Sequence, residues 1–247
     1  TRMWMTIPMT VVDTLFRALA QAIPDRVTAG HHADLCSSST YGVDHHTGRF
    51  FFGFVGPLGG GWGAKHNEDG MNGVICINDG DTHNSPVEAS EVKSPLINDE
   101  LSLVQDSGGA GRQRGGLGLR RVVRMTTPAS FNCRIERTKC APWGLEGGRD
   151  ALPNHVHVRR ADGTVVQPPN GKIDVIQLAA GDAYVLESGG GGGFGDPLER
   201  PVESVLADIR AGYVSAETAE HDYAVAVRDQ PAVVDEQRTA ELRSQQP

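Results

Sequence analysis

The sequence has few aromatic residues, few cysteines and no long apolar or basic run, and each scarcity excludes a class of protein. Aromatic side chains make up 6% of the 247 residues, and no two cysteines have the Cys-x-x-Cys spacing of a zinc or redox motif. No apolar run is long enough to cross a bilayer, and the first residues lack the apolar core of a signal peptide. A net charge of −8 without a basic cluster argues against nucleic acid or an anionic membrane as a partner.

The cysteines and the start of the chain lead to two further expectations. Cys36, Cys76, Cys133 and Cys140 are separated by seven or more residues, so we predict reduced, mostly buried thiols in a soluble cytoplasmic protein. The first residue is Thr1, which is compatible with truncation, with processing, or with an N-terminal threonine nucleophile. An N-terminus created by truncation or processing needs no further support from the sequence. An N-terminal threonine nucleophile would need such support, and the sequence offers none beyond Thr1 itself.

Glycine is the residue in excess. The chain contains 31 glycines, and five of them are consecutive at residues 189–193 in "ESGGGGGFGDPLERP". Glycine amides next to a helix start can bind phosphate. However, the run ends in Phe-Gly-Asp and not in the Gly-Lys-Ser/Thr of a phosphate-binding loop. We therefore predict a tight turn at which the backbone packs closely against another element, near the helical hairpin or at an interface.

The apolar pattern predicts a β-rich α+β domain with many glycine-rich loops, an N-terminal helix and a C-terminal helical hairpin. "MTVVDTLFRALAQAIP" has helical spacing and is expected to pack on the core. Residues 50–187 contain short apolar runs separated by glycine, with plausible turns at 162–163 and 180–182. "PVESVLADIRAGY" and "SAETAEHDYAV" predict the hairpin, with Ser215 as an N-cap. Residues 229–247 have little apolar content and are predicted to be a disordered tail after a domain of residues 1–228.

Four ordered motifs carry a resemblance to a known family. They are "GGGWGAKHNEDGMNGV", "THNSPVEASE", "DSGGAGRQRGGLGLRRVVR", and "PWGLEGGRDA" followed by "SGGGGGFGDPLERP". In this order they resemble the C-terminal part of the hydantoinase B/5-oxoprolinase family, which includes the B components of ATP-dependent hydantoinases, N-methylhydantoinase and caprolactamase. The resemblance covers nearly the whole chain. It implies that residues 1–228 are the C-terminal part of a hydantoinase B-type domain, about half of a full B component.

The resemblance implies an ATP-dependent opening of a cyclic amide such as a hydantoin, 5-oxoproline or a related lactam. In this family an actin-like ATPase, the A component, binds ATP and Mg²⁺ and phosphorylates the amide, and the B component completes hydrolysis. The resemblance places a divalent metal, Mn²⁺ or Zn²⁺, in the N-terminal half of the B component. The implied partners are therefore the A-type ATPase, that N-terminal half and a small cyclic amide, with neither nucleic acid nor membrane.

Two alternatives stay open beside the hydrolase. The family has a carboxylating branch, the acetone and acetophenone carboxylases, although "THNSPVE" looks like the amide-hydrolysing branch. A non-catalytic structural subunit would carry the same motifs only to complete a complex.

Two loops supply the candidate catalytic residues. In "GGGWGAKHNEDG", His66 could exchange protons near neutral pH, with Asn67 and Asp69 facing the substrate; the alternative is a solvated turn. In "THNSPVE", His83, Asn84 and Glu88 could act as hydrogen-bonding groups, as a base, or as partners of metal ligands. Here the alternative is a set of turn caps.

Arginines and histidines supply the candidate binding groups. Arg112 and Arg114 could clamp a phosphate or a substrate carboxylate, or could brace loops through backbone carbonyls. Arg120 and Arg121 would point to opposite faces of a strand, so at most one of them could join such a site. The densest group of possible metal ligands lies in two histidine-rich segments, which contain His31, His32, Asp34, His45 and His46. Because adjacent histidines on a strand diverge, a polar loop is preferred over a metal site for these segments. His155 and His157 share one strand face, and we interpret them as solvent-exposed.

Overall fold

The computed structural model describes residues 7–76, 82, 84–228 and 232–244. Thr1 therefore lies outside the described residues. The predicted α+β class is confirmed, because two antiparallel sheets are accompanied by helices at both ends of the chain. The described helices are α1 (Ile7–Leu19), α2 (Val87–Lys93), α3 (Val202–Arg210), α4 (Ala216–Tyr223) and α5 (Glu236–Ser244).

Nine strands form the two larger sheets. They are β1 (Ser37–Val43), β2 (Phe50–Gly53), β3 (Leu96–Leu103), β4 (Leu119–Met125), β5 (Ala129–Arg134), β6 (His155–Arg159), β7 (Val165–Val166), β8 (Lys172–Leu178) and β9 (Ala183–Glu187). One sheet has the order β2-β1-β5-β8, and the other has the order β3-β4-β9-β6-β7. A third, two-stranded sheet pairs β10 (Val227–Arg228) with β11 (Val233–Val234).

The two larger sheets pack face to face around one apolar core. Alternate residues of β5 and β9 point into it, and the rings of Phe131 and Tyr184 stack across the two sheets with centroids 4.5 Å apart. Val123 from β4 and Val158 from β6 are fully buried in the same cluster. Apolar burial of this kind is the main favourable contribution to folding.

Strands β8 and β9 follow one another in the chain but belong to different sheets. β8 pairs with β5, whereas β9 pairs with β4 and β6. The turn that the sequence predicts at residues 180–182 is present, with Gly181 at φ 92°. It therefore connects the two sheets and does not close a hairpin. By contrast, the predicted turn at residues 162–163 does close the β6–β7 hairpin.

The glycine run lies inside a bundle of extended segments, the glycine bundle, in which its hydrogen-bonded neighbours include residues 61–64, 113–116 and 149–152. Gly61 and Ala64 donate to the carbonyls of Gly189 and Gly192, residues three apart in the run. The amides of residues 190 and 193 donate to carbonyls 152 and 149, and those of residues 191 and 194 donate to carbonyls 116 and 113. A repeat of three residues is that of the polyproline II helix, which has no internal hydrogen bonds and leaves its backbone free to bind neighbouring segments.

Close approach explains why this bundle consists of glycine. A Cβ atom placed on Gly115 would lie 1.7 Å from the carbonyl oxygen of Gly191. A Cβ atom on Gly191 would lie 1.9 Å from the carbonyl oxygen of Trp62. These distances are far below van der Waals contact, so the segments can only approach each other without side chains. The prediction of close backbone packing is confirmed, although the run is an extended core segment and not a turn.

The C-terminal helices pack on this bundle. Ser215 caps α4, because its side chain accepts a hydrogen bond from the Thr218 amide at 3.1 Å, as the sequence predicts. Residues 236–244 form α5, so the prediction of a disordered tail is wrong for them. Polar contacts hold α5: Thr239 accepts from the Ala226 amide at 3.0 Å, and Arg238 donates to Glu220 at 2.9 Å. Such contacts leave no apolar periodicity in the sequence.

Helix α1 forms where the sequence predicts it, but its apolar stripe faces outward. Ile7, Val11, Leu15 and Leu19 are spaced four residues apart on one face, and each is 38–59% exposed. The opposite face buries the carboxylate of Asp13, which accepts hydrogen bonds from Arg137 and Trp143. No helix within the described ranges is both long and apolar enough to span a membrane.

Candidate functional site

The loop of residues 65–69 follows the glycine-rich residues 59–63 and exposes two of the predicted site residues to solvent. Lys65 and Glu68 close a tight turn through a backbone hydrogen bond of 2.9 Å and a side-chain ion pair of 2.8 Å. His66 and Asn67 lie at the tip of this turn, and both are exposed. An imidazole and a carboxamide at this position can form hydrogen bonds with a small molecule.

Asp69 anchors the base of the same loop. Its two carboxylate oxygens accept hydrogen bonds of 2.8 Å each from the guanidinium of Arg200, and one of them also accepts from the Arg114 amide at 2.7 Å. Burial by itself raises the pKa of Asp69, whereas these hydrogen bonds and the charge of Arg200 lower it. The lowering effects are together the larger, so the pKa of Asp69 lies below its usual value. Asp69 is therefore ionised at neutral pH.

Two buried arginines share a buried carboxylate behind this loop. Arg200 donates to Asp208 at 2.8 Å, and the Arg114 guanidinium lies 3.4 Å from the same carboxylate. Arg114 also donates to the carbonyl of its neighbour Gly115. We call Asp69, Arg114, Arg200 and Asp208 the ion network. Asp69 and Arg114 thus hold loops together, and a substrate-binding role for them stays a prediction.

Arg112 joins the exposed part of this region. Its guanidinium donates to the backbone carbonyl of His66 at 3.2 Å and lies 3.5 Å from the Glu199 carboxylate. The side chain keeps 42% of its surface exposed. Arg112, His66 and Asn67 therefore form one accessible polar group on top of the buried ion network. The structure brings the two predicted substrate loops together, as a joint site requires.

The "THNSPVE" loop lies at a different place. His83 is outside the described residues. The side-chain oxygen of Asn84 lies against Gly56, whose carbonyl is held by Arg121 at 3.3 Å. Glu88 is exposed in the first turn of α2, which begins directly after Pro86. Within the described ranges, no side-chain hydrogen bond connects Asn84 or Glu88 to the loop of His66.

Arg120 and Arg121 point to opposite faces of β4, as the sequence predicts. Arg121 is buried and donates to the carbonyls of Val55 and Gly56, so it braces the loop beneath Asn84. Burial lowers the pKa of Arg121. Arg120 faces outward and pairs with Glu100 and Glu187.

His31, His32 and Asp34 lie in a stretch without helix or strand, as the polar-loop interpretation expects, but all three are buried. Burial lowers the pKa of both imidazoles to about 4 and raises the pKa of Asp34 to about 7. His31 accepts a hydrogen bond from the Gly63 amide, and His32 lies against the Gly61 carbonyl. Their side chains diverge, and in the part of the chain that is described they do not converge on a metal site. His45 and His46 lie on an exposed turn.

The glycine run offers no cradle for phosphate. The five amides of residues 189–193 donate to Asn154 Oδ1 and to the carbonyls of residues 152, 116, 30 and 149, in that order. Each of these donors is therefore already used inside the protein. An ATP phosphate could be bound here only by breaking the bundle.

Arg200 and Asp208 are the residues of this site that the sequence did not predict. Arg200 lies in a stretch without secondary-structure periodicity, and Asp208 reads as a polar residue on an amphipathic helix. Arg200 pairs with Asp69, which is 131 residues away, and Asp208 is the second carboxylate that Arg200 binds. The only signal was the position of Arg200 inside the "GDPLERP" motif. None of the four cysteines forms a disulfide bond within the described residues, and Cys36, Cys76 and Cys133 are buried, as predicted.

Comparison with known proteins identifies relatives over most of the chain. The family model described as hydantoinase B/oxoprolinase matches residues 2–197. The B-type subunit of a putative D-/L-hydantoinase of Pseudomonas sp. (strain NS671) is 31% identical over 234 residues, which are 94% of this chain and 38% of the relative. The chain therefore spans about two fifths of the length of this relative.

Two solved structures share the fold. The ATP-dependent caprolactamase of Pseudomonas jessenii superimposes with a TM-score of 0.80 at 28% identity, over 92% of this chain and 40% of that one. A nucleotide-free acetone carboxylase superimposes with a TM-score of 0.80 at 22% identity, over 94% of this chain and 36% of that one. At the latter identity, the similarity concerns the fold alone.

Proposed function

Because the chain belongs to the hydantoinase B/oxoprolinase family, we propose that it is part of the B component of an ATP-dependent hydrolase that opens cyclic amides. The observation that carries this proposal is the family match over most of the chain. The hydantoinase and caprolactamase relatives favour hydrolysis over carboxylation, because they are more similar in sequence than the acetone carboxylase is. A hydantoin, 5-oxoproline or a related lactam is the proposed substrate class.

ATP and Mg²⁺ are proposed to bind a separate ATPase, the A component. The internal use of every amide in the glycine run supports this division, since no phosphate cradle is left in that run. An unstrained amide resists attack by water, and phosphorylation of its oxygen would supply a leaving group and a more electrophilic carbon. A divalent metal, Mn²⁺ or Zn²⁺, is proposed to lie in the N-terminal half of the B component, where it would activate water.

The exposed stripe of α1 supports a role as one part of an assembly. Four aliphatic residues at helical spacing remain in solvent, and contiguous apolar surface of this kind marks protein interfaces. We propose that this face packs against the N-terminal half of the B component or against the A-type ATPase.

The exposed residues of the two loops have proposed roles toward substrate. His66 would transfer a proton to or from the opening ring, and Arg112 with Asn67 would hold the carboxylate or amide oxygens of the substrate. His83, Asn84 and Glu88 would orient the attacking water or a metal ligand. Asp69 and Arg114 would contribute through the ion network that fixes these loops.

The proposed function predicts ring opening only in the complete assembly. Hydantoin, 5-oxoproline and caprolactam are incubated with ATP, the A component and the complete B component, and the ring-opened product and ADP are measured in parallel. The 247-residue chain alone is expected to give no ATP-dependent product, because the activating ATPase is absent. Ring opening by the chain alone, or carboxylation of acetone with bicarbonate in place of hydrolysis, would contradict the proposal.

Substitutions in the two loops test the proposed roles. In the complete assembly, His66→Gln, Asn84→Ala and Glu88→Gln are each expected to lower product formation about 10- to 100-fold, while ATP consumption continues. Glu203→Gln is the matched control, because Glu203 is also exposed in the first turn of a helix. Near-normal turnover of a variant removes that residue from the site. A parallel loss of melting temperature indicates a structural role instead.

A further inference from the structure

Two histidines and a glutamate converge on the outer face of the five-stranded sheet. His155 and His157 are two residues apart on β6, so their side chains lie on one face, and Glu187 on β9 is the direct cross-strand neighbour of His155. One ligand atom from each of the three side chains can be chosen so that all lie within 4.8 Å of one another. The His155 Nδ1 atom lies 3.2 Å from Glu187 Oε2.

Some polar atoms of these three side chains already bind protein groups, whereas others can still bind a metal ion. Arg120 binds the other oxygen of the glutamate, Oε1, so Oε2 remains on the side of the imidazoles. His157 Nδ1 is buried and has no hydrogen-bond partner among the described residues. A buried polar atom without a partner is costly, and a bound ion would satisfy it.

Protein groups around the cluster hold His155 and Glu187 in place. The side-chain amide of Gln167 lies 2.7 Å from His155 Nε2, on the far side of the ring from Glu187. With its oxygen turned to accept from Nε2–H, this carboxamide would hold the ring and leave Nδ1 unprotonated for a metal. Val122 and Val185 are buried on the same face of the sheet and form an apolar floor next to the three groups. Neighbouring apolar residues restrict water around a site and strengthen its electrostatic interactions.

We propose that His155, His157 and Glu187 bind one divalent first-row transition-metal ion, with Zn²⁺ strongly preferred over Mg²⁺. Two imidazole nitrogens and one carboxylate oxygen suit Zn²⁺, whereas Mg²⁺ requires oxygen ligands in an octahedral arrangement. Three protein ligands leave a fourth position open to water, to a substrate or to a residue of another chain. The positive charges of Arg120 and Arg159 on the same face weaken the site, so we expect a Kd of about 1–10 μM.

Metal binding to the intact protein tests this inference without any measurement of turnover. Zn²⁺ stoichiometry and affinity are measured by titration calorimetry at pH 7.5, and Co²⁺ is used as an absorbing substitute. The wild-type protein is expected to bind one more Zn²⁺ ion per chain than the His157→Ala or the Glu187→Gln variant. Both variants should bind Mg²⁺ as the wild type does. Gln167→Ala should keep the site but weaken it about 10- to 100-fold.

His221→Asn is the matched control. His221 lies 2.7 Å from the Asp222 carboxylate, so it forms a surface histidine–carboxylate pair without a third ligand among the described residues. This variant should bind Zn²⁺ like the wild type. Equal stoichiometry and affinity in the wild type and in both ligand variants would overturn the proposal, as would an equal loss in His221→Asn. Circular dichroism and thermal melting establish that the Glu187→Gln protein, which keeps the side-chain shape, is folded.

Discussion

Gly191→Ala is expected to prevent folding of the protein at 37 °C. The added Cβ atom would lie 1.9 Å from the carbonyl oxygen of Trp62 and 2.5 Å from the Gly63 amide nitrogen, so two backbone segments would have to separate. The hydrogen bonds of residue 191 to Gly109 and Gly116 would break with them. We expect a loss of more than about 4 kcal/mol of unfolding free energy, a large part of the total stability of a domain. Thermal and urea unfolding measure it.

Gly163→Ala is the control for this substitution. Gly163 lies in the exposed β6–β7 turn, and no atom lies within 4 Å of a Cβ placed on it. Its φ of +87° costs an alanine about 1–2 kcal/mol, which is the whole expected effect. If Gly191→Ala melts within a few degrees of Gly163→Ala, the glycine bundle is not a rigid core.

Arg200→Met is expected to destabilise the protein by about 3–5 kcal/mol. The substitution keeps the aliphatic packing but leaves the buried Asp208 carboxylate with only Arg114, and it removes both side-chain donors of Asp69. The loop of His66 loses its anchor at the same time. Proteolysis at residues 65–69 should therefore accelerate in the folded variant, and urea unfolding should give the loss of stability.

Arg238→Met is the matched control for the loss of an arginine ion pair. Arg238 pairs with Glu220 at 2.9 Å, but both side chains are almost half exposed. Exposed ion pairs contribute about 0–1 kcal/mol, so this variant should remain within that range. Equal stability of Arg200→Met and Arg238→Met would contradict the structural role of the ion network.

The glycine bundle explains how the candidate site is positioned. The segment that contains Gly61 and Ala64 leads directly into the loop of His66, the segment of residues 109–116 carries Arg112 and Arg114, and the glycine run leads to Arg200. Because these segments are fastened to one another by backbone hydrogen bonds, the loops leave the bundle at fixed positions. A rigid scaffold beneath polar loops is what a binding site requires.

Local patterns determined the fold class and most of the elements. Helix α1, the β-rich character of residues 50–187, the Ser215 cap and the two turns all depend on residues close in the chain, and the sequence predicted them. The motifs "GGGWGAKHNEDG" and "DSGGAGRQRGG" also identified two loops that do meet. By contrast, the sequence missed β1, whose residues Ser37–Val43 are largely polar, and α5, whose contacts are hydrogen bonds without apolar spacing.

Only the tertiary structure decided which distant residues became partners. A glycine has no side chain from which its neighbours could be predicted, so the position of the run between residues 61–64, 113–116 and 149–152 is visible only in the hydrogen bonds of the folded chain. Arg200 finds Asp69 at a separation of 131 residues, and Glu187 meets His155 because β9 pairs with β6 and leaves β8 to the other sheet. Strand order and bundle geometry set these pairs, since both arise from long-range packing that residue spacing does not encode.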